Sequence, residues 1–229
     1  MQKTKKLIIF GNRAYAELVH EYFTHDSNYE VIAFTVEQTY LTDPIFCGLP
    51  VIPFEEITSH YPPSEYEIHV AIVYGQLNRI REKFCIAAKM KGYTLATYVS
   101  SHAFVWHNVK IGENCFIFED NTLQAFVQIQ DNVVLWSGNH IGHSSMIENN
   151  CFISSHVVIS GFCRIGHHCF LGVNTTIGNH VDIGHSSWIS PGAIITANVA
   201  EQSLVKGVKS EVIPLNEKLL FRKLAAYTI

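Results

Sequence analysis

From Val99 onward an aliphatic residue stands at every sixth position without a slip: Val99, Val105, Ile111, Ile117, Leu123, Ile129, Leu135, Ile141, Ile147, Ile153, Ile159, Ile165, Leu171, Ile177, Ile183, Ile189 and Ile195. If about a quarter of residues were Ile, Leu or Val, chance would give such a run roughly once in 10^10 trials. The fifth position of each hexad is small or β-branched in nearly every case, as at Cys115, Val127, Ser145, Cys151, Cys163, Cys169 and Thr175. The second is often glycine, as at Gly112, Gly142, Gly166, Gly172, Gly178 and Gly184. A period of six is neither the 2 of a flat strand nor the 3.6 of a helix. A short strand, a bend and another short strand satisfy it, with one aliphatic and one small side chain per hexad pointing inward. Three hexads then close a triangular coil, and coils stack at the strand spacing of ~4.8 Å into a prism roughly 27 Å tall.

The prism accounts for most of the cysteines. Cys115, Cys151, Cys163 and Cys169 all occupy the small inward position, so they read as buried small hydrophobes. No CxxC accompanies them. Asn121 and Asn139 occupy the same inward slot, eighteen residues apart, and could form a buried amide ladder or support a site from beneath.

Residues 1–98 read differently. Leu7–Phe10 is an apolar run ending at Gly11, and Arg13–Phe23 has helical spacing. Val31–Val36 and Ile68–Val73 are strand-like, Leu77–Met90 is helical, and Thr94–Val99 is a fourth strand leading into the coils. The stretch LTDPIFCGLPVIPFEEI reads as a loop with a short strand and a turn. This β-α-β order predicts a small parallel sheet. Ligands of such sheets bind beyond the carboxyl ends of the strands. Gly11-Asn12-Arg13 and Tyr74-Gly75-Gln76 stand there, each between a strand and a helix. The domains are therefore expected at 1–98, 99–200 and 201–229, the last holding an amphipathic capping helix over 216–227.

The hexad pattern resembles the hexapeptide-repeat acyltransferases, and that resemblance implies a left-handed coil. The general rule for parallel crossovers would favour the right-handed form. An α/β half-Rossmann unit followed at once by a left-handed parallel β-helix resembles the nucleotide-sugar N-acetyltransferases and the sialic-acid O-acetyltransferase-like group. The similarity covers residues 1–200. It implies that the first domain holds a nucleotide-linked sugar and the coils hold acetyl-CoA. Residues VAIVYGQLNRIREKF resemble the family's second nucleotide loop, which makes Asn78 and Arg81 candidates alongside Gly11, Asn12, Arg13 and Gly75.

The stretch SGNHIGHSS resembles the family motif N-x-G-x-x-x-x-H, with Trp136 standing where the family has Asn. The resemblance makes His143 the general base. Its third position in the hexad projects outward, and an imidazole titrates near neutral pH. His140 is the second candidate, and Glu148 or a neighbouring subunit is expected to orient the ring. Gly161 lies eighteen residues after His143 and would open a slot beside the base for the thioester. Gly161, Gly172, Gly192 and Lys206 are the expected acetyl-CoA contacts, with Lys209 beside the last of them. Outward Phe116, Phe152, Phe170 and Trp188, with the resemblance, suggest a homotrimer with sites between subunits.

Other classes stay open. The formal net charge of −4 gives no basic surplus for nucleic acid. No window approaches a membrane span, and the default expectation is cytoplasmic. The expected reaction is acetyl transfer from acetyl-CoA to a nucleotide-diphosphate amino sugar, without a metal. An O-acetyltransferase acting on a sugar hydroxyl and a non-catalytic nucleotide-sugar binder are the alternatives. A zinc enzyme is a third, because the spacing His107-x35-His143-x4-Glu148 resembles that of the γ-class carbonic anhydrases.

Overall fold

A computed structural model describes residues 2–210 and Arg222. The expected capping helix at 216–227 therefore lies, but for Arg222, outside the described residues.

The first unit is a five-stranded sheet of β1 (Lys5–Phe10), β2 (Tyr29–Val36), β3 (Ile45–Phe46), β4 (Leu49–Pro53) and β5 (Glu67–Val70). Their order is β3-β4-β2-β1-β5. β1 pairs in parallel with β2 and β5, and β2 with β4, while β3 and β4 form an antiparallel hairpin. Leu7 to Phe10 are buried without alternation, as expected of a parallel strand covered on both faces. Helix α1 (Ala14–His25) turns Tyr15, Ala16, Val19 and Phe23 inward. Short α2 (Ile57–His60) and α3 (Arg79–Met90) complete the unit. The expected fourth strand at 94–99 does not form as such. Leu95 makes a single parallel bridge to Ile68, and Tyr98–Val99 already belongs to the first coil.

The second unit is the prism. Its three parallel sheets carry seven, six and five strands, here called the first, second and third face. Up to Ile195 strands pair eighteen residues apart, as in Val134↔Phe152, Thr122↔His140 and Gln128↔Met146, and the last pair, Trp188↔Leu204, is sixteen apart. The sixfold aliphatic residues from Ile117 to Ile195 fill the interior, none more than 5% exposed. At the corners the fourth hexad position is left-handed, with φ between 51° and 66° at Asn114, Phe126, Asn132, Asn150, Phe162 and His168. The inward cysteines are free and buried. The Cys115, Cys151, Cys163 and Cys169 thiols each donate to the carbonyl fifteen residues onward, at 3.0–3.3 Å. Burial pushes the Cys115 thiol up to about 12 and raises Cys151 and Cys163 as well, whereas the contact with Cys151 lowers Cys169. All four fill the small inward slot of the prism.

The first face packs on the α/β unit. Phe116, Phe118, Val134, Phe152 and Phe170 share one apolar cluster with Tyr15, Val19 and Phe23 of α1. This corrects the expectation that Phe116, Phe152, Phe170 and Trp188 face a partner subunit. The chain's own first unit covers them. The second face exposes Phe104, Val158 and Ile194, with Trp106, Phe126 and Phe162 at the corner beyond, and Leu204 is exposed on the last strand of the first face. The third face is polar outside, with Lys110, Gln128, Arg164 and Asp182.

Candidate active site

A cavity of about 700 Å³ opens at the carboxyl ends of β1, β2 and β5, where a parallel sheet binds ligands. Gly11, Asn12 and Arg13 line it, as the sequence suggested, together with Glu37, Tyr40, Ile72, Gln76 and Lys83. Gly11 has φ +135°, and a Cβ there would lie 2.8 Å from the Ala71 carbonyl oxygen. No other residue lets β1 turn so close to the loop after β5. Glu37 and Lys83 form an ion pair of 3.2 Å at the rim. Neither is among the contacts expected from the sequence. Glu37 was discoverable as the acidic residue that closes the second strand.

A second cavity of about 520 Å³ lies between α1 and the prism and shares Ala14, Tyr15 and Val73 with the first. Trp136, Phe152, Ser154, Ser155 and Val173 form its prism wall. Trp136, Ser155 and Val173 mark the corner that joins the first face to the second.

Five of the expected substrate contacts are not in either cavity. Arg81 is fully buried, and its guanidinium bonds to Asn132 and to the carbonyls of Ile72, Asn132 and Cys151. Asn78 is buried and donates to the Cys169 carbonyl. Asn121 and Asn139 are also buried and donate to turn carbonyls, both reaching that of Trp136. Their amide N–H groups are spent on the chain's own backbone, and their burial away from both cavities corrects the expectation of a substrate contact. Asn78 Oδ1 and Asn121 Oδ1 have no hydrogen-bond partner among the described residues. Gly75 forms a turn through its N–H to the Val73 carbonyl and packs near Ile80, outside the cavity lining.

His143 is exposed at the corner between the second and third faces. Its backbone N–H donates to Gln124 Oε1 at 2.9 Å, and its ring stands edge-on to Phe162 at 4.8 Å. A Cβ on Gly161 would fall 2.8 Å from His143 Nε2. The missing side chain at Gly161 therefore makes room for the imidazole itself, not for a slot beside it. Glu148 does not orient this ring. It accepts from Arg164 Nε and from the His167 N–H. That also separates it from the zinc-like spacing, and among the described residues no three His, Cys, Asp or Glu side chains converge on a metal position. His140 sits on the flat of the second face, between Thr122 and Val158.

Of the expected acetyl-CoA contacts, Gly172 is a packing glycine, since a Cβ there would meet Pro191 N at 2.5 Å. Gly192 has φ +70° with open space around it, and Lys206 is exposed after the last strand of the first face. Cavities and imidazole thus lie at different edges of the second face within one chain.

Comparison with known proteins follows this division. Residues 126–161 and 144–179 match the family model "Bacterial transferase hexapeptide (six repeats)", and residues 163–197 match "Hexapeptide repeat of succinyl-transferase". No curated protein matches by sequence. Among solved structures, the acetyltransferase domain of PglB from Neisseria gonorrhoeae, in complex with acetyl coenzyme A, is 22% identical with a TM-score of 0.79. The match covers 88% of this chain and 95% of that one. PerB from Caulobacter crescentus, in complex with CoA and GDP-perosamine, is 21% identical with a TM-score of 0.78, over 89% and 95% of the two chains. WeeI from Acinetobacter baumannii is 18% identical with a TM-score of 0.67, over 89% and 97%. The matched repeats together span residues 126–197, and the chain as a whole has the fold of these proteins, a small α/β unit joined to a left-handed parallel β-helix.

Proposed function

We propose that the protein is an acetyl-CoA-dependent N-acetyltransferase acting on a nucleotide-linked amino sugar. One observation carries the reading. A cavity at the strand ends of the α/β unit runs on into a second cavity against a hexapeptide prism, and that prism presents an exposed imidazole at the opposite edge of its second face. The similar PglB domain is described with acetyl coenzyme A, and PerB with CoA and GDP-perosamine, a nucleotide-linked sugar.

In this reading Gly11, Asn12 and Arg13 hold the diphosphate side of the nucleotide, and the sugar extends past Ala14 and Tyr15 toward the prism. The sugar amine attacks the thioester carbonyl carbon. The C–N bond forms, the C–S bond breaks, and CoA leaves as its thiol. His143 takes the proton that the nitrogen sheds, acting as the general base. Because His143 stands at the far edge of the second face, the complete site lies between copies. The uncovered Phe104, Phe126, Val158 and Phe162 supply the apolar contact for a homotrimer.

The test is release of CoA thiol from acetyl-CoA across UDP-, dTDP- and GDP-linked amino sugars, with His143→Ala alongside. The expected result is turnover on one amino sugar, reduced about 10²- to 10⁴-fold in the variant. Turnover on hydroxyl sugars alone would replace this reading with O-acetylation. Nucleotide-sugar binding with no transfer on any acceptor would leave a binding protein.

A further inference from the structure

Arg81 stands in the first turn of α3, fully buried at the seam between the two units. Its Nε donates to Asn132 Oδ1 at 2.7 Å. Nη2 donates to the carbonyls of Asn132 and Cys151 at 3.0 and 3.3 Å. Nη1 reaches the Ile72 carbonyl at 3.1 Å. Ile72 belongs to the wall of the larger cavity, whereas Asn132 and Cys151 belong to a prism corner. One planar fork therefore ties the cavity wall to the coils.

Asn132 is itself the middle rung of a ladder. Asn114 Nδ2 donates to Asn132 Oδ1 at 3.0 Å, and Asn132 Nδ2 to Asn150 Oδ1 at 2.7 Å. Asn150 Nδ2 donates to Glu82 Oε1 at 2.8 Å, and Glu82 Oε2 meets His168 Nε2 at 2.9 Å. At the other end, Asn114 pairs with both the N–H and the carbonyl of Val70, the last residue of β5. Both anchors of the segment 71–78 are thus fastened to one column of corner side chains.

That segment forms part of the cavity wall and is strained. Gln76, Leu77 and Asn78 are consecutive left-handed residues, with φ of 51°, 51° and 66°. Residues with a Cβ hold such a conformation only where their surroundings fix it. The Asn78 amide adds a 3.4 Å bond to the Cys169 carbonyl.

We infer that Arg81, acting with the Asn114–Asn132–Asn150 ladder, is a positioning residue for the nucleotide-sugar cavity. It holds the 71–78 loop in its left-handed form and does so without touching the ligand. The inference rests on the reading that this cavity takes the nucleotide part of the substrate.

Arg81→Lys keeps the charge and loses the fork that meets both units at once. The expected result is amide hydrogen exchange at 71–78 faster by about tenfold or more in the ligand-free protein, with KM for the nucleotide sugar raised about tenfold. The KM for acetyl-CoA and kcat stay unchanged. Glu82→Gln, which loosens the next rung with an isosteric side chain, moves both readouts the same way by less. It carries the test if Arg81→Lys does not fold. Exchange that rises evenly across the first unit, with the nucleotide-sugar KM unchanged, would overturn the inference and leave Arg81 a stabilising residue only. If the wild-type protein neither binds a nucleotide nor transfers acetyl, the functional reading fails separately. The exchange pattern, which needs no ligand, still decides the positioning role.

Discussion

His143 and Gly161 illustrate how one missing side chain sets another's geometry. The imidazole rests over the Gly161 backbone, with Phe162 edge-on beside it. Gly161→Ala places a methyl group 2.8 Å from Nε2, so the ring must swing away. Gly161 has an ordinary negative φ, so alanine suits its backbone. The expected outcome is a folded protein with kcat reduced up to about 100-fold, by analogy with displacements of about 1 Å elsewhere. Steady-state kinetics beside a thermal melt separates this from misfolding. That His143 projects outward was legible in the chain because the hexad fixes which positions do so. Arg81 and Asn78 were misread for the converse reason. A polar residue between a strand and a helix looks like a ligand contact, and nothing local shows that Arg81 meets Asn132. The available signal was asparagine recurring every eighteen residues at 114, 132 and 150, a column that only another buried polar group could satisfy.

Among the elements, β5 carries a titratable group in the core. His69 is 1% exposed, lies against the rings of Phe23 and Phe116, and bonds through Nδ1 to the Ala96 carbonyl at 2.9 Å. Burial lowers its pKa from 6.5 to about 4. The folded state therefore binds the proton less well than the unfolded chain. The contribution is complete above the unfolded pKa and is lost as pH falls from 6.5 toward 4, by roughly 3 kcal/mol. Denaturant titrations at pH 7 and pH 4 should show that loss, and His69→Asn, which keeps a donor for Ala96, should remove much of it. An unchanged difference in the variant would assign acid sensitivity elsewhere. At this scale the coils from Val99 to Ile195 were legible from the six-residue period, while their hand came only from the family resemblance and the last strand, Leu204–Val205, lies beyond the regular run. The stretch 94–99 was not legible, because its alternation suits a sheet edge as well as a coil entry. The first coil recruits Tyr98–Val99 by pairing them with Phe116–Ile117.

For the molecule as a whole, the division of labour between faces matters most. The first face is covered by α1, the third is polar, and the second exposes Phe104, Val158 and Ile194. The outward aromatics of the first face were visible in the sequence, but their partner was not, since burial by the same chain and burial by another copy leave the same pattern. The cavities sit at one edge of the second face and His143 at the other, so the proposed site needs two copies. Mixed assemblies test this directly. One parent carries His143→Ala with an intact cavity. The other carries Ala14→Trp, which blocks the mouth shared by both cavities while His143 stays in place. Each parent alone should be inactive. If a cavity of one copy works with His143 of the next, random mixing in equal amounts restores about a quarter of wild-type turnover in a trimer. Mixtures that exchange subunits, as followed by mass, yet stay as inactive as their parents would contradict the shared site.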